Sequence, residues 1–238
     1  MSIDYWIDRL EDPFEMFALV QVLRSLGALT EEADSKRAGR AGWWGVSPKY
    51  YSVEDEHDIE VVEHLIGSAF VLAQTSITQA FSILKRMRED AGSPVWIPKD
   101  KPVVLATAAP IHTELGISQI TIINTAADYY KHRVEWKEED WAAGPPPTNK
   151  TIASVLALGL GRKGYHNMEH ALRKLKIYPN DMGPLGGIVG NWRESLADYL
   201  RSEGAKHGVA IHPRYPEDLD TDEPPAVPPT NLDDDPPF

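Results

Sequence analysis

Between Ile59 and Met87 the apolar residues Ile59, Val62, Ile66, Ala69, Ala73, Ile77, Ala80, Leu84 and Met87 recur at steps of three and four. At 100° per residue this spacing gathers them into one stripe, a pattern that a strand with its period of two cannot use. It predicts a single helix of about 45 Å. The acidic run Glu54-Asp55-Glu56 suits the positive end of that helix, and Lys85, Arg86 and Arg88 suit the other end before Gly92 and Pro94 stop it. A stripe of this length needs apolar partners along all of it. A second helix over 117–136, with Ile120, Ile123, Ala127, Tyr130 and Val134 on one side, supplies part of that cover.

Shorter helices are predicted over 13–29, 151–158, 167–175 and 185–202. KPVVLAT, residues 101–107, reads as a strand, too isolated to found a sheet. Two loops interrupt the helices. One spans 30–53 and contains AGWWGVSPKYY; the other, EEDWAAGPPPTN, holds three prolines that exclude helix. The fold class expected is all-α: a helical bundle built on two long antiparallel helices over residues 1–212, with a sub-boundary at 140–150. Residues 213–238 are Pro-rich, acidic and poor in aliphatic side chains, the composition of a disordered tail.

Charge and composition narrow the function classes. The formal charge is −12, and eight of the acidic residues lie beyond position 216 with no Lys or Arg among them, leaving a body near −4. Broad phosphate binding rests on Lys and Arg displacing counterions, so nucleic-acid contact would have to be local. The chain has no cysteine, which removes disulfides, thiolate nucleophiles and Cys-ligated zinc. MSIDYWIDRLEDPF carries acids where a signal peptide needs a basic flank, and no stretch approaches the roughly 20 apolar residues of a membrane helix. A cytoplasmic protein without a membrane partner is expected.

In INTAADYYKHRVEW, Asn124, Asp128 and His132 are spaced by four and climb one side of the helix at the border of its apolar stripe. Lys131 and Glu135 fall on the same border. An Asp one turn from a His can orient it and keep it basic, as a general acid or base requires. The alternative is a set of hydrogen-bonded boundary residues.

A long helix followed by one carrying NTAADYYKHR resembles the HEPN superfamily of helical proteins, over roughly residues 55–140. That resemblance implies a dimer in which the motif-bearing helix ends meet, and a ribonuclease, toxin or defence component. Active members carry an Arg and a polar residue ahead of the His in the same helix. Here Asn124 and Asp128 occupy that place and Arg133 follows the His. The resemblance therefore leans away from an enzyme; if the body is one, it implies a metal-independent ribonuclease using His132, Asp128, Lys131 and Asn124, with RNA as a possible partner.

Four other stretches carry motifs. His166, Glu169 and His170 match H-x-x-E-H, whose two His chelate zinc when one helical turn apart, with Glu194 or Glu203 needed as a further ligand. No cofactor is expected, with zinc as the alternative. GLGRKG, residues 159–164, satisfies G-x-G-x-x-G without the strand that a dinucleotide site needs, so it reads as a helix stop and basic turn. PLGGIVG begins the final helix in close contact with a neighbour. In the first loop, Arg37, Arg40 and Lys49 interleave with Trp43, Trp44, Tyr50 and Tyr51, which suits either stacking on single-stranded nucleic acid or a cap over the core.

The chain ends NLDDDPPF. Phe238 offers a ring to an apolar pocket and a carboxylate to a basic residue; Pro236 and Pro237 stiffen the approach, and Asp233, Asp234 and Asp235 match a basic rim. This tip is similar to the acidic tip of bacterial single-stranded DNA-binding proteins, matching at Asp233, Asp234, Asp235, Pro237 and Phe238, with Pro236 where an aliphatic residue is usual. The resemblance implies docking to DNA repair and replication enzymes. The function expected is thus an interaction protein of bacterial or phage origin, a homodimer with a docking tip, with the ribonuclease or defence effector and the zinc hydrolase as alternatives.

Overall fold

The computed structural model describes residues 2–44, 53–138, 141, 150–162 and 166–211, without the side chains of 39–44 and 53–55. The long stripe forms α3, Val53–Asp90, and each of its nine residues is buried. Before it run α1, Ile3–Leu10, and α2, Pro13–Trp44; after it come α4, Lys101–Ala106, and α5, Gln119–His132. The last third supplies α6, Lys150–Ala157, α7, Asn167–Lys174, and α8, Gly183–Lys206. No strand occurs among the described residues, only the isolated bridges Ile111–Ser118 and Tyr178–Asp181. The all-α reading holds.

α3 is the axis, in contact with α1, α2, α5, α7 and α8. Glu15, near the start of α2, accepts from Gln79 late in α3 at 3.1 Å, so these two helices run antiparallel. α5 does the same on another side, with Asn124 against Gln74 and Tyr130 against His64. The longest antiparallel pair is α2 and α3, not the helix over 117–136, which stops at His132. By length and composition α3 also passes as a membrane-crossing helix, but 56% of its apolar window is buried against the rest of the chain.

Several expectations are corrected. The loop placed over 30–53 is helical through Trp44. Residues Glu31 to Ala38 are good helix formers, and the pairs Lys36–Glu32 at 2.7 Å and Arg37–Asp34 at 3.0 Å lace the exposed side. KPVVLAT is helix, not strand: Pro102 sits in its first turn, where a missing N–H costs nothing, and burial of Val104 and Leu105 overrides their neighbours' β preference. α1 was not foreseen; Ser2 caps it by accepting from the Tyr5 amide, and Trp6, Ile7 and Leu10 are buried. The proline run 145–147, the sub-boundary and the tail 213–238 lie outside the described residues, apart from Trp141 and Lys150.

The start of α8 behaves as read. A Cβ on Gly186 would lie 2.7 Å from Val20, and one on Gly27 would lie 2.6 Å from the Asn180 carbonyl, so small residues let α2 and the α8 region close on each other. Two turns further, Arg193 is completely buried and its guanidinium is fully used. Its Nε donates to Leu10 O at 2.8 Å, and Nη1 donates to Glu15 Oε1 and Ser76 Oγ, both at 2.9 Å. Nη2 donates to Arg9 O at 2.8 Å and Glu15 Oε2 at 3.3 Å. One side chain thereby joins the end of α1, the start of α2 and the middle of α3.

Candidate functional site

The polar groups of the molecule converge where the C-terminal half of α5 meets α3 and the start of α7. Ser118 caps α5 by accepting from the Thr121 amide at 3.0 Å, and its hydroxyl donates to Leu105 O at 2.6 Å, which fixes the helix against α4. α5 then carries its polar side chains along α3. In the deepest layer, the Gln74 amide donates to Asn124 Oδ1 at 3.0 Å and Asp128 Oδ1 at 2.7 Å, and Asn124 Nδ2 donates to Asp128 Oδ2 at 3.0 Å. Lys131 adds an ion pair to Asp128 at 3.3 Å. Both carboxylate oxygens of Asp128 are thus held inside the α3–α5 seam.

The second layer belongs to Glu63, a buried carboxylate one position off the α3 stripe. α7 begins with His166 in the left-handed region at φ 72°, and His166 supplies no side-chain cap. Glu63 fills that role from another helix: it accepts from the Met168 amide at 3.1 and 3.2 Å and from the Glu169 amide at 3.4 Å. Burial pushes its proton affinity up from the ordinary carboxylate range, against the opposing pull of those amides and of the Arg133 and His166 charges. Beside it, Asn167 donates to the Tyr129 hydroxyl at 2.6 Å and to Gly161 O at 2.9 Å, while Tyr129 donates to Gly161 O at 2.9 Å. Burial raises the Tyr129 phenol as well, so it stays a neutral donor.

The rim is wetter. Tyr130 pairs its hydroxyl with His64 Nδ1 at 2.8 Å, and the Arg133 guanidinium lies over its ring at 5.3 Å. The Tyr130 ring occupies the space where a Cβ on Gly67 would stand, so Gly67 is what lets the ring lie flat on α3. His132, with 44% of its side chain exposed, contacts Glu135 Oε2 at 2.9 Å through Nδ1. Trp136, Trp141 and Tyr129 pack edge to face or tilted beside it, with centroids 5.3 to 6.3 Å apart.

The expected arrangement is therefore only partly assembled. Asn124, Asp128 and Lys131 do meet, but around Gln74, and Asp128 does not orient His132; that contact belongs to Glu135. The physical reason is reach: Asp128 satisfies its oxygens on buried amide donors, while His132 lies in the last turn and points to solvent. The zinc pattern also fails in its geometry. His166 is the N-cap of α7 and its contact with Glu169 is shared by Arg173, while Glu203, one of the two further ligands considered, is taken by Lys206. Among the described residues no group of three or more His, Asp or Glu side chains converges on a metal-sized point.

His166, Asn167, Glu169, His170 and Arg173 instead line an open cleft of about 560 Å³ with Arg37 and Gly159. Its cations are internally balanced, Arg37 by Asp34 and Arg173 by Glu169. The glycine motif reads as a stop: Gly159 has φ 76°, and the Leu160 amide bonds back to Val155 O at 3.2 Å. Of the aromatic and basic loop, Arg40, Trp43 and Trp44 fall in α2 with side chains outside the description. Lys49 and the tip, Asp233, Asp234, Asp235, Pro236, Pro237 and Phe238, lie outside the described residues.

Sequence reasoning missed Glu63, Gln74 and Asn167. Glu63 had a signal, since it stands four residues after Ile59 and three before Ile66 and so borders the buried stripe. Fold and site together define an all-α body with a buried polar seam. No protein-family model, no curated protein and no solved structure matches the chain.

Proposed function

We propose that this protein is an interaction factor: a HEPN-like helical body that acts as a homodimer and carries a docking tip, Asp233–Phe238. The tip engages an enzyme of DNA repair or replication that accepts single-stranded DNA-binding-protein tips. The observation that carries the reading is the run Asp233–Phe238 itself, three acids followed by two prolines and a ring. The body supports it from the other side. Asp128, Asn124 and Lys131 satisfy one another and Gln74, which suits a seam that locks helices better than one that waits for substrate. Binding of a tip peptide to a panel of such enzymes tests the proposal. The free-acid peptide is expected to bind, its amidated and Phe238-deleted forms to bind at least roughly tenfold more weakly, and equal binding by all three would reject it.

A second reading, a metal-independent ribonuclease, is favoured by one contact: Glu135 can hold His132 basic in the way expected of Asp128. Lys131 and Arg133 flank it in sequence, and a phosphate would have to draw Lys131 from Asp128 and Arg133 from the Tyr130 ring. RNA cleavage by the intact protein that disappears in His132→Ala and falls in Glu135→Gln would support this reading; cleavage indifferent to both would remove it.

A further inference from the structure

Over its first five turns α2 is apolar nearly all the way round, and only one side is used. Leu23, Gly27 and Thr30 are buried on α3 and the α8 region. Phe14 is 82% exposed, Phe17 65%, Val22 47% and Leu29 50%, and Ala18, Ser25 and Ala28 lie exposed between them. From Pro13 to Thr30 the helix holds two charged residues, and neither covers this face. Glu15 is tied to Arg193, and Arg24 folds its stem over Gly183. A helix hydrophobic on all sides is ordinarily covered on all sides.

We propose that a second copy of this chain covers it, α2 against α2, antiparallel about a twofold axis near Gln21 and Val22. Three observations choose that occupant. The face is graded in size: Phe14 and Phe17 project at one end, and Ser25 and Ala28 lie low at the other beside Leu29. Reversal about Gln21 sets Phe14 opposite Ala28 and Phe17 opposite Ser25 of the other copy, the large-against-small match that self-complementary packing needs. Charge points the same way. Each copy carries −12, so two copies meet only where no like charges are brought together, and this stretch is free of outward acids. Area agrees as well. A buried Phe covers roughly 150–250 Å², so the exposed parts of Phe14 and Phe17 alone offer about 300 Å² per copy, and the flanking residues raise the pair toward the ~1,000 Å² of a specific interface. The face lies on α2 and not at the end of α5, where a HEPN-like dimer would meet. The inference therefore rests on the proposed function only for the homodimeric state, places the interface elsewhere, and does not rest on the tip or the catalytic alternative.

The absence of cysteine makes the test clean. The full-length protein is expected to sediment at twice the monomer mass at micromolar concentration. Phe17→Glu, which alters a mostly exposed side chain, should leave the circular dichroism and melting temperature unchanged and weaken dimerisation by roughly a hundredfold. Under mild oxidation Gln21→Cys should crosslink to a covalent dimer, while Glu114→Cys, exposed elsewhere, should not. A monomeric wild type, a Phe17→Glu dimer of unchanged affinity, or equal crosslinking at both cysteines would each overturn the proposal. So would a chain that dimerises only after residues 212–238 are deleted, since the tail would then be the occupant. A dimer that persists when the tip peptide binds no enzyme would uphold this face while the tip reading failed.

Discussion

Arg193 and Glu63 are both buried ionisable side chains that tie distant helices together, yet their surroundings treat charge in opposite ways. Arg193 meets a full counter-charge, Glu15, and shares its remaining donors among Ser76 and the carbonyls of Arg9 and Leu10. Glu63 meets only backbone amides at contact distance among the described residues, with Arg133 and His166 acting from further off. The first pair is a fixed joint, because neither partner can lose its charge without stranding the other. The second site is tolerant of either protonation state, and burial tilts it toward the neutral acid. One joint is therefore built on a charge pair, and the other on a carboxylate whose proton affinity burial raises.

The largest effect should come from breaking the charge pair. Arg193→Met removes the guanidinium, leaves Glu15 with Gln79 as its side-chain donor and no counter-charge, and leaves two carbonyls without their donor, and is expected to cost about 3–5 kcal/mol in urea unfolding, the range for a broken buried pair. A loss under about 1 kcal/mol would mean that Glu15 simply turns to water, and the contrast with Glu63 would lapse.

Gly67→Ala tests the surroundings of the other joint through packing. The added methyl occupies the Tyr130 ring's place, so the ring must leave along with its His64 contact and the Arg133 stack. A destabilisation of about 1–3 kcal/mol is expected, partly recovered in Gly67→Ala/Tyr130→Ala, where no ring remains to clash. Failure of the second change to recover any stability would place the strain in the backbone instead.

A smaller effect, and one of a distinct kind, belongs to pH. Because the folded state holds the Glu63 proton more tightly than the unfolded chain, Glu63 favours folding fully below its ordinary value of 4.5. That contribution is lost as pH rises through the raised folded value. Glu63→Gln should therefore flatten that part of the stability–pH curve and have its most favourable relative effect at neutral pH. Asp90 works in the opposite sense, since the Trp6 indole donor lowers it, and its support is lost as pH falls. A Glu63→Gln curve parallel to wild type from pH 4 upward would show that the site does not titrate with folding.

The smallest change is expected at the tip. Deleting Phe238 should leave unfolding within about 0.5 kcal/mol of wild type while abolishing partner capture. A marked loss of stability would show that the ring belongs to the body.

How much of this was legible beforehand depended on the range of the interaction. Helix periodicity needs only neighbours in sequence, and so the α3 stripe from Ile59 to Met87 and the start of α5 at Ser118 could be read directly. The extension of α2 past Thr30 was also written locally, in Glu32–Lys36 and Asp34–Arg37, but the aromatic run that follows drew attention to a loop. KPVVLAT misled because two valines look like a strand until burial against α5 decides. At the site, Asn124, Asp128 and Lys131 share one border of a single helix and so could be grouped from spacing, while Gln74, Glu63 and Asn167 come from elements 50 or more and 38 residues away from their α5 or α7 partners.

The sequence by itself thus determined that this chain is helical and where its long axis lies. Those properties follow from residue spacing and composition, which any short window exhibits. Only the tertiary structure decided that Asp128 serves Gln74 and not His132, that Glu63 caps a helix distant in sequence, and that α2 keeps an apolar side bare. Each of these depends on which helix lies alongside which, a choice made by summed burial over the whole core and written in no single segment.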